Sequence, residues 1–336
     1  MDSLTHTVLG ACVGDALAGK KLGKQAMLWG ALANNIPDVD VVTSFWMNQV
    51  DGLLAHRGFT HSILFALLFS PLLAYLFTRW HKNKKMLFRD WLILFGSGMF
   101  IHIFIDALTC YGTGWFEPFS HRRVTMNVLF VADPFYTISI FISFIALLII
   151  KSKKASRKIW TNFGLIVSTL YIGYACINKL IVDNHFRTEL AYQKIPFTNY
   201  FSTPAPLNNW LWYLVAKNDS GYYIGYSSVF DKGSSIKLMY RPKNEYLLTA
   251  LPQDKDLISL KRFSKNYYTA EMSGDTLYFN DIRFGTIGGW NGKEEPFVFR
   301  YILGENANND LVIQRGRMQS AGKDAITSLW ERIKGE

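Results

Sequence analysis

The chain has 336 residues, 49% of them hydrophobic, 15% aromatic and only 18% charged, against about 25% charged in an ordinary soluble protein. So apolar a chain buries more surface than its ordering costs, which excludes intrinsic disorder; three scattered cysteines, Cys12, Cys110 and Cys176, exclude a disulfide scaffold and a cysteine zinc site. The net charge of +10 is uneven, with 17 basic and 9 acidic residues up to Val182 against 19 and 17 beyond it, so the mean hydropathy of +0.08 averages two unlike parts, residues 1–182 and 183–336.

Two short apolar segments come first, Leu4 to Gly19 and Gln25 to Ile36. No signal peptide is expected, because the opening lacks a basic leader. Four longer runs follow: Ser62 to Thr78, Trp91 to Leu108, Pro134 to Ile150 and Ile159 to Val182. Each is about long enough to cross a hydrocarbon core of roughly 30 Å. From about His185 the pattern changes to short aromatic and β-branched stretches bounded by Gly, Asn, Asp and Lys: Gly221 to Phe230, Ser235 to Tyr240, Thr276 to Phe284 and Pro296 to Leu303. These are strand signals. Asp324 to Lys334 places Ile326, Leu329, Trp330 and Ile333 on one helical face. The expected fold is an α-helical multi-pass membrane domain of four to six spans, followed by a small β-rich extracytoplasmic domain with a C-terminal helix.

Basic residues orient the spans. Lys20, Lys21 and Lys24; Arg79, Lys82, Lys84, Lys85 and Arg89; and Lys151, Lys153, Lys154, Arg157 and Lys158 occupy every second connection, whereas the alternate connections hold only Arg57, Arg122 and Arg123. By the positive-inside rule the three clusters are cytoplasmic, and residues beyond Val182 lie outside. Their strict alternation with apolar runs argues against a nucleic-acid patch, and no nucleic-acid partner is expected.

Ionisable side chains in or beside membrane spans are costly and point to function. They fall in four places: His6; Asp38 and Asp40 in a Pro-Asp-x-Asp turn; His56 and His61 in His56-Arg57-Gly58-Phe59-Thr60-His61-Ser62; and His102 with Asp106. The last two, four apart on a helix, project from one face and can reach one metal ion. Imidazole and carboxylate are the ligands of hydrolytic zinc. On the orientation read from the basic loops, all four groups fall at the same, outer membrane face. His81 and His185 read as interfacial or solvated, and His121 has no evident acidic partner.

These motifs resemble a known bacterial family, the membrane-bound metal-dependent hydrolases of the YdjM-like type. The resemblance rests on Met1 to Gly10 (MDSLTHTVLG), the Pro-Asp-x-Asp turn, HRGFTHS, and His102 to Asp106 followed by Tyr111-Gly112-Thr113, with Asp281 to Gly285 (DIRFG) in the C-terminal part. More distantly that family resembles the zinc-dependent phospholipase C and single-strand nuclease superfamily. Carried over residue by residue, this implies metal ligation by His6, Asp38, His56 or His61, His102 and Asp106. The further His and the second His-x3-Glu or His-x3-Asp helix of the soluble enzymes are missing here, so the second His of HRGFTHS is expected to contribute and the metal number stays open.

The expected function is therefore hydrolysis of a lipid or lipid-linked phosphoester at the outer face of the bacterial cytoplasmic (inner) membrane. A divalent metal, zinc by its ligands, would be held by His6, Asp38, His56, His61, His102 and Asp106. Asp40 is expected as general base and Arg57 as the partner of a phosphate oxygen. The expected partners are membrane lipid and the phosphoester substrate. Two rivals are an intramembrane metallopeptidase, disfavoured by the lack of His-Glu-x-x-His, and a scaffold or transporter whose polar residues form a buried network.

Overall fold

A computed structural model describes residues 1–81, 85–152, 154–233, 235–251, 254–286, 288–292, 296–303 and 323–335. Lys82, Lys84 and Lys153 of the expected basic clusters, and the side chain of Ile326, lie outside the described residues. The chain divides into two compact units: Met1–Phe45 with Ala55–Cys176 and Pro206–Asn208, and Trp46–Leu54 with Ile177–Ala205 and Asn209–Glu336.

The first unit is helical. It contains α1 (Ser3–Leu22), α2 (Gln25–Asn35), α4 (Ile63–Trp80), α5 (Phe88–Ala107) and α6 (Pro134–Ile149), with α7 (Ser156–Tyr192) running on into the second unit, to which all but the last residue of α3 (Gln49–Ala55) belongs. Local chemistry sets the helix starts. Asp2 caps α1 by accepting from Thr5 N at 2.9 Å, Ser62 caps α4 through Phe65 N at 2.9 Å, and Asp133 caps α6 ahead of Pro134, each satisfying amides that a helix start leaves open. Among the described residues, α4, α5 and α7, of 18, 20 and 37 residues, are long and apolar enough to cross a membrane, and α6 is a shorter apolar helix. The 11 residues of α2 reach only roughly 16 Å at 1.5 Å per residue, about half of a hydrocarbon core. As a single helix, the segment Gln25 to Ile36 is therefore too short to cross one.

Glycine decides how closely these helices approach. A Cβ on Gly14 would lie 2.1 Å from the Ala26 carbonyl oxygen and 2.7 Å from Gly30 Cα, and one on Gly30 would lie 2.2 Å from the Gly10 oxygen. Side chains would thus collide with backbone along the α1–α2 seam. Gly98 of α5 meets α2 in the same way, 2.6 Å from Ala33 Cβ. Small residues at a helix seam let backbones touch, which is how helices associate where water supplies no driving force. Around this seam Val8, Cys12, Met27, Ile105, Leu129, Tyr136 and Ile140 form one apolar cluster, and Ala26, Ala33, Phe65, Trp91, Leu94 and Met99 form another.

The second unit holds two antiparallel sheets. One is β1 (Asn199–Pro204), β2 (Leu211–Lys217), β3 (Gly221–Ser228) and β4 (Met239–Pro242), paired in that order; the other is β5 (Tyr268–Ser273), β6 (Thr276–Thr286) and β7 (Phe297–Leu303). Val215 and Ile224 of the first sheet pack with Ile282 and Phe297 of the second. On the opposite face Trp212, Leu214 and Ala216 pack with Val182, Phe186 and Leu190 from the end of α7. Strands match the signals at Gly221 to Phe230, Thr276 to Phe284 and Pro296 to Leu303, whereas at Ser235 to Tyr240 only Met239 and Tyr240 are in a strand, β4, which runs on to Pro242. β1, β2, β5 and the helix α8 (Lys255–Phe263) were not expected. The DIRFG motif is buried within β6, where Arg283 donates to both oxygens of Asp281 at 2.6 to 3.2 Å. The last helix, α9 (Lys323–Ile333), buries Ile333 beside Leu211 with Leu329 close by, while Trp330 is exposed.

Gly30→Val is expected to force α1 and α2 apart and to destabilise the protein by about 1–3 kcal/mol or more, as overpacking does. Gly173→Ala, in α7 with nothing within 4 Å of its Cβ direction, is the control and should be neutral or stabilising. Thermal unfolding in detergent compares the two.

Candidate metal centre

Four parts of the helical unit bring ionisable groups together. α1 presents His6 near its start. Pro37, which cannot continue a helix without losing a hydrogen bond, opens the 3-10 segment Pro37–Phe45 that carries Asp38 and Asp40. The HRGFTHS stretch turns sharply: Arg57 has φ +62°, a left-handed conformation uncommon outside glycine. It is pinned by Gly114 N donating to the Arg57 carbonyl at 2.8 Å and by Arg123 donating to the His56 carbonyl at 2.8 Å. His61 follows in a short 3-10 turn ahead of α4. α5 supplies His102 and Asp106 one turn apart.

Asp38, His61, His102 and Asp106 form one cluster whose ligand atoms all lie within 4.8 Å of one another. Asp38 Oδ1 is 3.4 Å from Nε2 of both His61 and His102. Asp106 Oδ2 is 3.4 Å from His61 Nε2 and 3.7 Å from His102 Nε2. The two Nε2 atoms are 3.1 Å apart. Their outer nitrogens explain the orientation. His102 Nδ1 lies 2.5 Å from the Asn34 carbonyl, an acceptor only, so Nδ1 carries the proton and Nε2 offers a lone pair. His61 Nδ1 faces Asp40 Oδ2 at 3.3 Å and Thr60 Oγ1 at 3.1 Å, which directs its Nε2 inward too. A ring nitrogen held by a carbonyl or carboxylate while the other points inward is the arrangement of metal-binding histidines.

Two lone pairs aimed at each other at 3.1 Å repel unless a cation or proton lies between them. The donor set therefore fits a metal ion, and a second observation agrees: Asp106 Oδ2 is buried and accepts no hydrogen bond, although it faces both imidazoles. Without a metal the proton settles on His61. Burial disfavours its cation, yet Asp106, Asp38 and Asp40 push its pKa up to about 10. The same interactions, with His102 and His61 for Asp38 and with His56 and His61 for Asp40, hold both carboxyls well below the usual range against the opposing effect of burial.

The remaining expected residues surround this cluster. His6 Nε2 is 3.1 Å from the other Asp106 oxygen, and its ring stacks on His102 at 3.8 Å. Asp106 Oδ1 also pairs with the amine of Met1. Asp40 accepts from the Arg57 amide at 2.9 Å and from the Thr60 hydroxyl at 2.7 Å, and its other oxygen pairs with His56 Nδ1 at 2.8 Å. It thus ties the HRGFTHS turn to the Pro37–Phe45 segment. Asp38, Asp40 and His56 make up a second group close enough to hold an ion. Arg57 is buried, with Nε 3.1 Å from Asp106 Oδ2, one terminal nitrogen donating to Thr109 Oγ1 at 3.0 Å and the other to the Met1 carbonyl at 3.4 Å. Pairing with a phosphate oxygen would require it to exchange one of these contacts. Asp38 is the accessible member, its side chain 18% exposed against 0% for His61 and His102.

Asn34 was not expected. Besides receiving His102 on its carbonyl, it donates from its side chain to the His6 carbonyl at 2.6 Å, and the sole signal was a pair of amides closing an apolar segment. His121, expected to lack an acidic partner, has one: its Nδ1 lies 2.9 Å from Glu117, one helical turn back in sequence. His81 meets Trp29 and Trp91 edge-on, and His185 lies 3.2 Å from Ser227 Oγ.

Comparison with known proteins places this arrangement. The profile of the YdjM inner membrane protein family matches residues 1–182, more than half of the chain and all of the residues described above except those of the second unit. The chain belongs to the YdjM inner membrane protein family. It is similar to the inner membrane protein YbcI of Escherichia coli (strain K12), 31% identical over 122 residues that are 36% of this chain and 69% of that protein. It is also similar to the uncharacterized protein YfhP of Bacillus subtilis (strain 168), 32% identical over 149 residues that are 41% of this chain and 44% of that protein. No solved structure matches the chain. Membership of the YdjM family, with three helices of spanning length among the described residues, makes this an inner-membrane protein; the candidate metal centre rests on its own geometry.

Asp40→Ala removes the acceptor of the buried Arg57 amide and the Thr60 hydroxyl. An unsatisfied buried group costs about 1–3 kcal/mol, so a clear drop in melting temperature is expected, with a smaller one for Asp40→Asn, which keeps one acceptor oxygen. An unchanged melting temperature for Asp40→Ala would show that Asp40 does not hold the turn.

Proposed function

We propose that this protein is a membrane-bound metal-dependent hydrolase of phosphoesters, with a lipid or lipid-linked substrate. The observation that carries the reading is the convergence of two tautomer-fixed imidazoles and two carboxylates on one point, with Asp106 Oδ2 buried and unsatisfied. Asp38, His61, His102 and Asp106 would hold the ion, and the further group of Asp38, Asp40 and His56 leaves room for a second. A zinc-like ion at such a site supplies a water acidified toward neutral pH and polarises a phosphoryl oxygen.

The chain's own residues have distinct parts in this reading. Asn34 and Asp40 orient His102 and His61. Arg57 steadies Asp106 and adds positive charge where an anionic group would arrive. Asp40, held ionised by its neighbours, or Asp38, at the accessible edge, is placed to take a proton. Around that edge Val39, Val41, Val42, Phe45 and Phe59 are exposed, an apolar border suited to the depth of a lipid headgroup rather than to a water-borne substrate. The resemblance to zinc-dependent phospholipase C supports the same reaction class. We further assign the clusters of basic residues to the cytoplasm and the metal centre and β-rich unit to the outer side, on the positive-inside rule.

One observation favours a non-catalytic network: Arg57 already offsets the charge of Asp106 at 3.1 Å. The two readings part on metal. Protein purified in detergent without chelator is expected to carry a divalent ion by elemental analysis and to hydrolyse at least one ester in a phosphodiester and phosphomonoester panel, with activity lost on chelation. His102→Ala should abolish both, while Asp40→Asn should weaken metal binding about 10–100-fold, as loss of an orienting partner does. A metal-free protein whose melting temperature ignores chelator would leave the network reading standing and overturn the hydrolase.

A further inference from the structure

A second place in the helical unit is built to receive a ligand, and it does not depend on the chemistry of the histidine cluster. A cavity of about 760 Å³ lies between the α1–α2 connection and the start of α7. His6 stands nine residues from Asp15, the nearest lining residue on α1, and fourteen from Lys20 at the rim, so roughly 14 to 21 Å of helix separates the metal centre from the cavity.

The floor of the cavity is small and its polar groups are already matched. Ala16, Gly19, Gly23 and Ala155 line it. A Cβ on Gly19 would come within 2.9 Å of Asp15 Oδ1, and Gly23, with φ +61°, lets its loop pass close to Ser152. Arg157 donates to Asp15 at 2.7 Å and to the carbonyls of Leu147, in the last turn of α6, and Ile150, just beyond it, at 2.6 and 2.9 Å. Thr161 donates to the second Asp15 oxygen at 2.7 Å. Asp15 and Arg157 are both buried, so this pair is internally neutral and leaves the carboxylate nothing to offer a cation.

The rim is different. Lys20, Lys154 and Lys158 all line the cavity and are exposed, and among the described residues none of the three is paired with a carboxylate. Three ammonium groups converge on a concave surface whose one acid is neutralised. Such a surface concentrates anions. Leu17 and Ile159, next in the chain to Ala16 and Lys158, are exposed apolar side chains, so apolar surface adjoins the cationic rim.

We infer that this cavity binds the phosphate-bearing headgroup of an anionic membrane lipid, with Lys20, Lys154 and Lys158 on the phosphate oxygens and the acyl chains along the apolar flank. Basic pockets between membrane helices recognise headgroups in this way. A free phosphate shares the headgroup chemistry but makes no use of Leu17 and Ile159.

The test uses the full chain in detergent, titrated separately with phosphatidylglycerol, phosphatidylcholine and inorganic phosphate, with bound lipid read by native mass spectrometry. Phosphatidylglycerol is expected to bind ~10–100-fold more tightly than phosphatidylcholine, since each lysine near an anionic surface contributes appreciably. The triple variant Lys20→Gln, Lys154→Gln, Lys158→Gln should lose that preference while keeping its lipid-free melting temperature, and Lys→Arg at the three positions should restore it. Equal binding of the two lipids, or an undiminished preference in the glutamine variant, overturns the proposal. Inorganic phosphate binding as tightly as phosphatidylglycerol also overturns it, by assigning the site to a soluble anion.

Discussion

The contact on which the helical unit depends is the backbone-to-backbone approach of α1 and α2 at Gly10, Gly14 and Gly30, extended to α5 by Gly98. With side chains at these positions the three helices would stand farther apart, and the polar ends they carry would not meet. At van der Waals distance between backbones, the Asn34 carbonyl reaches His102 Nδ1 and the Asn34 side chain reaches the His6 carbonyl. The geometry of the candidate site is thus a by-product of packing along an apolar seam. His102 is positioned by the Asn34 carbonyl, one of those that the end of a helix leaves free.

Such positioning has an electrostatic price. Asp106 sits in a helix of membrane-spanning length with an exposure near zero, and the positive groups around it are the Arg57 guanidinium, the Met1 amine and imidazoles. Burial of that many partly compensated charges is destabilising unless their geometry is good. Turns such as Arg57, in a left-handed conformation, add to it. His6 Nδ1, Asn34 Oδ1, Arg57 Nε and Asp106 Oδ2 are buried without a hydrogen-bond partner in this one region, and such a concentration around a strained turn is what a functional site looks like against its scaffold.

Much of this was legible in the sequence, and the exceptions have physical causes. His102 and Asp106 were readable because helical periodicity alone places residues four apart on one face. Pro37 marked the end of α2 because of what its ring forbids. Asn34 was not readable, since it acts largely through its main chain, which carries no residue-specific signal. Strand β2, Leu211 to Lys217, escaped because its first six residues are buried on both faces, which removes the alternation that betrays a half-buried strand. At Gln25 to Ile36 composition reports apolarity without the helix length that Pro37 allows, so the 11 residues of α2 were not readable from it. His121 and Glu117 were overlooked for the opposite reason, a spacing that was present but not weighed.

The uneven exposure of the four-residue cluster also bears on time. Asp38 is partly exposed, whereas His61, His102 and Asp106 are buried. An ion arriving from solvent would therefore meet Asp38 before either imidazole, which makes this one carboxylate the group through which the rate of exchange, as distinct from equilibrium affinity, could be set.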